Sequence, residues 1–200
     1  MSKKLFLDTS CFLTVGLLND DFSWVDYKVI ETPRSASNIH PEVHSLLESS
    51  GSSLDEIDEV YLINGPGSYT GIRISEGVGQ ILELADKKIY SFHHFVVPQA
   101  LGIEKGHWVS NAFKGEYFLY SWEGSSSNKE LVAKDDCDLH SYGEKLYSHF
   151  EQTVGNEVLT SDLVKENPRD VFTWVKNNNL RERPFYFRSI ENEFKVKNKK

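Results

Sequence analysis

The residues best suited to chemistry lie in the run Gly65 to Ile74, GPGSYTGIRI. Gly65 and Gly67 can adopt positive φ and Pro66 fixes the bend between them, so the run specifies a shaped loop. Ser68 and Thr70 stand where a side-chain oxygen can cap a following helix, and the free N–H groups of such a first turn suit an anion. The spacing matches neither GxGxxG nor the P-loop pattern, so phosphate binding is permitted and not required. Asp8, with Thr9 and Ser10 beside it, is the second candidate. A carboxylate at the end of an interior strand can hold a metal-bound water beside a phosphate, and the same letters describe a turn in which Asp caps backbone N–H groups.

Histidines come next. His40 and His44 stand four apart, so on a helix their rings share a face and can bind a metal, or serve as ordinary surface or interface residues. His93 and His94 are adjacent, and neighbours on a helix diverge by about 100°, a poor arrangement for one ion. Ser, His and Asp all occur without a nucleophile elbow, which leaves a hydrolase triad unsupported. Cys11 enters an apolar strand and reads as a small packing residue, while Lys114 and Glu116 flank Gly115 as turn residues. A kinase using these residues would also need a second strand-end acid and a second glycine loop, and no convincing pair is present. No catalytic residue and no metal site are assigned.

The elements that position these residues follow from periodicity. Strands are expected at 5–7, 12–17 and 24–30, with a turn at Asn19-Asp20-Asp21. Ser37 or Asn38 caps a helix running to about Ser50, with Ile39, Val43, Leu46 and Leu47 at helical spacing and Gly51 stopping it. Then come a strand at 59–63, the glycine loop, a helix over 71–85, a strand at 88–92 and a short helix after His94. The order is βββαβαβα. Beyond about residue 106 the expectations are strands at 107–112 and 116–122, a polar turn at 124–128, helices near 140–150 and 169–177, and a last strand at 185–187. Gly77 and Gly79 cost roughly 1 kcal/mol each relative to Ala inside a helix, which close helix approach explains.

Two hundred residues, 39% of them apolar and 12% aromatic, suit one large domain or two lobes. Two cysteines suggest neither a disulfide framework nor a cysteine metal site. No apolar stretch approaches the roughly 20 residues that span a bilayer, and the N-terminus runs into a short strand, so a cytoplasmic protein is expected. The formal charge of −8 argues against autonomous nucleic-acid binding. Lysines 195, 197, 199 and 200 form a basic tail that reads as a solubilising end or an RNA contact.

The wording of the glycine run resembles the signature loop of the TsaB (YeaZ) family, GPGSFTGxRIG, through Gly65, Pro66, Gly67, Ser68, Tyr69, Thr70, Gly71 and Arg73, with Tyr69 replacing Phe and Ser75 replacing the last Gly. Leu7-Asp8-Thr9-Ser10 is similar to the family's N-terminal IDT motif, which in actin-like ATPases sits at the phosphate end of the cleft. Asn111 to Glu116 stands in place of DARxGE, with Asn for Asp and Phe for Arg, and Pro184 to Arg188 matches PxYxR. The resemblance implies an α/β actin-like fold related to ribonuclease H, with a mixed sheet, an N-terminal lobe over 1–106, and a shortened, divergent second lobe over 107–200.

It also implies a function: a non-catalytic subunit of the machinery that makes N6-threonylcarbamoyladenosine in tRNA. The family binds a TsaD-type transferase that carries the nucleotide and metal, a TsaE-type ATPase joins the assembly, and tRNA is met only indirectly. TsaD itself has paired metal-binding histidines on a helix after its glycine loop, whereas His40 and His44 precede the loop. In TsaB proteins the two helices of the first lobe form the surface for homodimers and for TsaD, which places His40, His44, Gly77, Val78 and Ile81 on or near an interface. The rivals are a small-molecule kinase or ATPase using Asp8 and the Gly65–Thr70 loop, and a metallopeptidase.

Overall fold

The computed structural model describes residues 2–32, 35–112, 114–149 and 156–187. Phe113 of the DARxGE-like segment, Arg188 of the PxYxR match and the tail lysines 195, 197, 199 and 200 lie outside the described residues.

The chain opens with β1 (Lys3–Asp8), β2 (Leu13–Leu18) and β3 (Trp24–Ile30), an antiparallel meander. Helix α1 (Ile39–Ser49) follows a 3₁₀ turn, then β4 (Ile57–Ile63), α2 (Tyr69–Leu84) and β5 (Lys88–Phe92). Both β4 and β5 run parallel to β1, giving a mixed sheet in the order β3-β2-β1-β4-β5. Alternate residues point to opposite faces, and both faces are buried, as parallel strands require. Leu5, Leu7, Val60, Leu62 and Ile89 pack under α1 and α2. Phe6, Tyr61, Ile63, Tyr90 and Phe92 face the other way.

A 3₁₀ turn at His94–Val96 and the short α3 (Val97–Ala100) lead to the second sheet. Its strands are β6 (Lys105–Asn111), β7 (Glu116–Glu123), β8 (Ser126–Ala133), β9 (Leu146–Ser148) and β10 (Val158–Leu159), ordered β10-β9-β6-β7-β8. Helices α4 (Thr160–Glu166) and α5 (Pro168–Asn177) then return to the first sheet, where Val164, Val171, Phe172 and Val175 join Phe6 and Tyr61. One face of the second sheet is aromatic, with Trp108, Phe118, Tyr120, Trp122 and Tyr147, and it packs against Phe95 and Phe185.

Several sequence expectations need correction. The stretch over 124–128 is not a broad turn, because residues from Ser126 pair with β7 and form β8, an edge strand whose exposed polar letters hide it. The helix expected near 140–150 is a 3₁₀ run over Leu139–Lys145 followed by strand β9, which inserts between β6 and β10. Residues 185–187 are irregular, and the strand contact lies earlier, in a bridge between Ser91 and Arg181. Asn38 does sit at the N-cap of α1, but its side chain makes no cap hydrogen bond.

Candidate functional site

The glycine run folds back against the end of β1. Ser68 is the N-cap of α2, its side chain accepting from the Gly71 N–H, and its own N–H donates to the Ser10 carbonyl. Thr9 donates its hydroxyl to the Gly71 carbonyl at 2.7 Å. Approach is so close that a Cβ on Gly71 would stand 2.0 Å from the Thr9 oxygen, and one on Gly67 would stand 2.2 Å from the Ser10 oxygen. Gly65 has φ +94°, its carbonyl accepts from the His94 N–H, and a Cβ there would meet the Phe185 carbonyl at 2.8 Å. Backbone atoms thus fill the hollow that side chains or a ligand would need.

Beneath the loop lies a buried polar cluster. Asp8 Oδ1 accepts from the Ser10 N–H at 2.8 Å, the capping turn allowed by the sequence. Asp8 Oδ2 stands 3.1 Å from His94 Nε2, and Ser10 Oγ stands 2.9 Å from the same nitrogen. Burial alone pushes the Asp8 carboxyl up, but the His94 charge and hydrogen bonds from His94 and Ser10 outweigh it and hold Asp8 below the ordinary carboxylate value. On its other side His94 Nδ1 meets Thr160 Oγ1 at 3.1 Å, and that hydroxyl donates to the Ser148 carbonyl.

Ser10, His94 and Asp8 are therefore brought together, which the sequence reading did not foresee. They do not form a relay, because Ser and Asp share one ring nitrogen, whereas a triad needs its two partners on opposite nitrogens. The cluster is also closed to substrate: His94 has no exposed surface and Asp8 and Ser10 have 1% each. His93 is buried too, with Nε2 at 3.0 Å from the Arg183 carbonyl, and burial lowers its pKa. The only signal in the letters was a His-His pair directly after an apolar strand.

Sequence from 180 to 187 fastens the far side of the loop. Arg181 makes a two-pronged bond to Glu76 on α2, at 2.8 and 3.0 Å, and Asn64 donates to the same carboxylate. Tyr186 packs on Tyr69, and Arg73 lies over the Tyr69 ring.

The outer side of α2 differs. Ile81 is 61% exposed and Leu84 87%, and a Cβ on Gly77 would meet nothing within 4 Å. Val78 and Ile74 are partly buried against the core, while His40 and His44 on α1 are exposed, His44 facing Glu48 at 3.9 Å. Gly79 points inward, where a Cβ would come within 2.5 Å of Leu62 Cδ1. Among the described residues no cluster of three or more His, Cys, Asp or Glu is placed to hold a metal, and no helix is long and apolar enough to cross a membrane.

Comparison with known proteins agrees with this geometry. Residues 31–97 match the family model described as TsaD: tRNA N6-adenosine threonylcarbamoyltransferase. A curated relative, the tRNA threonylcarbamoyladenosine biosynthesis protein TsaB of Bacillus subtilis (strain 168), is 32% identical over 79 residues, 39% of this chain and 34% of that protein. The chain thus matches about a third of the relative's length. A crystal structure from Pseudomonas aeruginosa, of a protein similar to peptidase YeaZ, superposes with a TM-score of 0.66 at 21% identity, covering 94% of this chain and 100% of that one. YeaZ from the same organism gives 0.62 at 21% identity, covering 89% and 94%. These structures share the α/β actin-like fold. In its signature loop and over residues 31–97 the chain is similar to proteins of threonylcarbamoyladenosine synthesis, and over most of its length it shares the fold of the YeaZ structures.

Proposed function

We propose that this chain takes part in making N6-threonylcarbamoyladenosine in tRNA, as a non-catalytic subunit that docks a TsaD-type transferase on the outer side of α2. The observation that carries the reading is the stripe Gly77–Ile81–Leu84, an open glycine followed by two apolar side chains left in solvent. Large apolar groups at helical spacing on a rigidly mounted helix suit a second helix laid against them. The same stripe serves a homodimer when the partner is absent. Nucleotide and metal belong to the partner, a TsaE-type ATPase joins the assembly, tRNA is reached through the partner, and the work is cytoplasmic.

Against an independent kinase or ATPase stands the packing of the loop. The Thr9 hydroxyl and the Ser68 N–H, donors that a phosphate would need, already bond the Gly71 and Ser10 carbonyls. A metallopeptidase would require a ligand cluster, and among the described residues no group of three or more His, Cys, Asp or Glu is placed to form one; His40 and His44 lie on the exposed face of α1.

Mixing the purified chain with its cognate TsaD-type protein should give a heterodimer by light scattering, and Leu84→Asp should abolish it. A chain that transfers threonylcarbamoyl groups by itself would overturn the non-catalytic reading. Micromolar Mg-ATP binding lost in Asp8→Ala would favour the kinase.

A further inference from the structure

We propose that Lys129 on β8 is a modification site, an exposed amine open to acylation by an acyl phosphate, and that its charge clamps the closing segment 180–187 onto the second sheet until the acyl group removes it. Placement comes first. In the pairing of β7 with β8, Ser127, Lys129 and Leu131 stand opposite Trp122, Tyr120 and Phe118, on the aromatic face. Lys129 is the one charged residue of those three, and its ammonium lies over three rings: 4.5 Å from the centre of Phe95, 5.1 Å from Phe185 and 5.8 Å from Tyr120. A cation in that position is held by the negative faces of the rings.

The rings set this lysine apart from the paired ones. Lys105 reaches the Glu123 carboxylate at 2.9 Å and Lys4 reaches Asp20. Among the described residues no ion pair or hydrogen bond holds the Lys129 ammonium, and the Glu182 charge acts on it from farther off. Phe185 belongs to a segment fastened to the first sheet. There the Ser91 N–H donates to the Leu180 carbonyl, the Glu182 N–H to the Ser91 carbonyl and the Phe185 N–H to the Asn64 carbonyl, while the Phe185 ring packs on Phe118 with centroids 5.1 Å apart. Lys129 thus joins an edge strand of one sheet to a segment hydrogen-bonded to the other.

The side chain is exposed, so an electrophile reaches the amine from solvent. Once the ammonium has released a proton to solvent, the Nζ lone pair attacks the acyl carbon and the C–N bond forms. The bond from that carbon to the phosphate oxygen breaks, and phosphate leaves with the electron pair and the second amine proton. The product is a neutral amide. Its reactivity is that of any surface lysine, but the consequence is particular to this one: the attraction to Phe185 is lost, and 180–187 keeps its backbone bonds without the clamp. An inward-facing lysine on an edge strand also guards against edge-to-edge pairing. That role requires no clamp.

Treating the full chain with acetyl phosphate tests this, with modified lysines identified by peptide mass spectrometry and amide exchange followed by NMR. Lys129 should be acetylated, and the Glu182 and Phe185 N–H groups, both donors toward the first sheet, should then exchange about tenfold faster. Lys129→Arg keeps a cation that the reagent does not acylate, so under the same treatment, with its other lysines acetylated, its exchange should stay unchanged. Lys129→Gln carries a neutral amide from the start and should exchange faster with no reagent. An unmodified Lys129 beside a modified Lys105 would overturn the site. Unchanged exchange in the acetylated chain would leave only the edge guard, and equal acceleration in Lys129→Arg would assign the effect to other lysines; either result overturns the clamp. If Lys129→Gln does not fold, the acetylated chain and Lys129→Arg decide.

Discussion

Helix α2 has two sides that follow opposite rules. Its start and inner side are sealed: Gly71 admits the Thr9 carbonyl, Gly79 admits Leu62, and Arg181 grips Glu76. Its outer side is open, with Gly77 facing space and Ile81 and Leu84 in solvent. Three glycines in one helix thus have different physical reasons, although the helix-propensity cost of each is the same, roughly 1 kcal/mol. On the sealed side the cost is offset by packing within the chain. On the open side nothing among the described residues offsets it, and under the proposed function a partner does.

The sealed side gives the largest expected effect. Gly71→Ala would put a methyl 2.0 Å from a backbone oxygen, and backbone cannot swing aside as a side chain can. Destabilisation of about 3 kcal/mol is expected from overpacking of this kind, read as a fall in the urea midpoint. Gly79→Ala should cost less, since the obstacle is the mobile end of Leu62. Equal tolerance of alanine at 71 and 77 would erase the contrast between the two sides.

On the open side, Ile81→Asp should leave the stability of the isolated chain nearly unchanged while weakening partner binding by about 2 kcal/mol, or roughly 30-fold. Calorimetric titration with the TsaD-type protein measures it. An unaffected affinity would move the interface away from this stripe.

The seam beneath the loop shares the sealed character and makes it pH-sensitive. His149 has its pKa lowered from 6.5 to about 3 by burial first and then by the His94 charge. The unfolded chain binds a proton below pH 6.5 and the folded one does not, so this group contributes full stability above pH 6.5 and loses it as pH falls toward 3. About 1 kcal/mol per pH unit is expected between pH 6 and 4, close to the limit for a single site. Asp8 acts in a separate window: its lowered pKa contributes above the unfolded value of 3.8 and is lost only in stronger acid. Urea midpoints across pH 4 to 8 should therefore slope downward on the acid side, and His149→Gln should flatten that slope.

How far the letters revealed this depends on whether a feature is local. The first lobe was legible because β1 and β4 carry short apolar runs bounded by turn residues, and Ser68 with Gly71 marks a helix start that needs only neighbours in sequence. The second sheet was less so. Ser126 to Ala133 carries polar residues on an exposed edge, and pairing with β7 overrides its weak strand propensity. Leu146 to Ser148 is three residues held by strands from distant parts of the chain. The polar cluster was the least visible. Asp8, His94 and Thr160 lie 86 and 66 residues apart in successive pairs, and nothing at any one position announces the others.

The smallest effect separates the two sides most directly. Gly77→Ala adds a methyl where no atom lies within 4 Å, in the interior of a 16-residue helix. The isolated chain should gain up to about 1 kcal/mol from helix propensity alone, seen as a modest rise in the melting temperature. Were the glycine retained only by chance, that gain would carry over unchanged to the complex. If it is retained because another helix crosses closely there, the same methyl should strengthen the free chain and weaken the complex. Opposite signs in thermal melting and in partner titration, measured on one variant, would assign Gly77 to an interface. Two gains would return it to the surface.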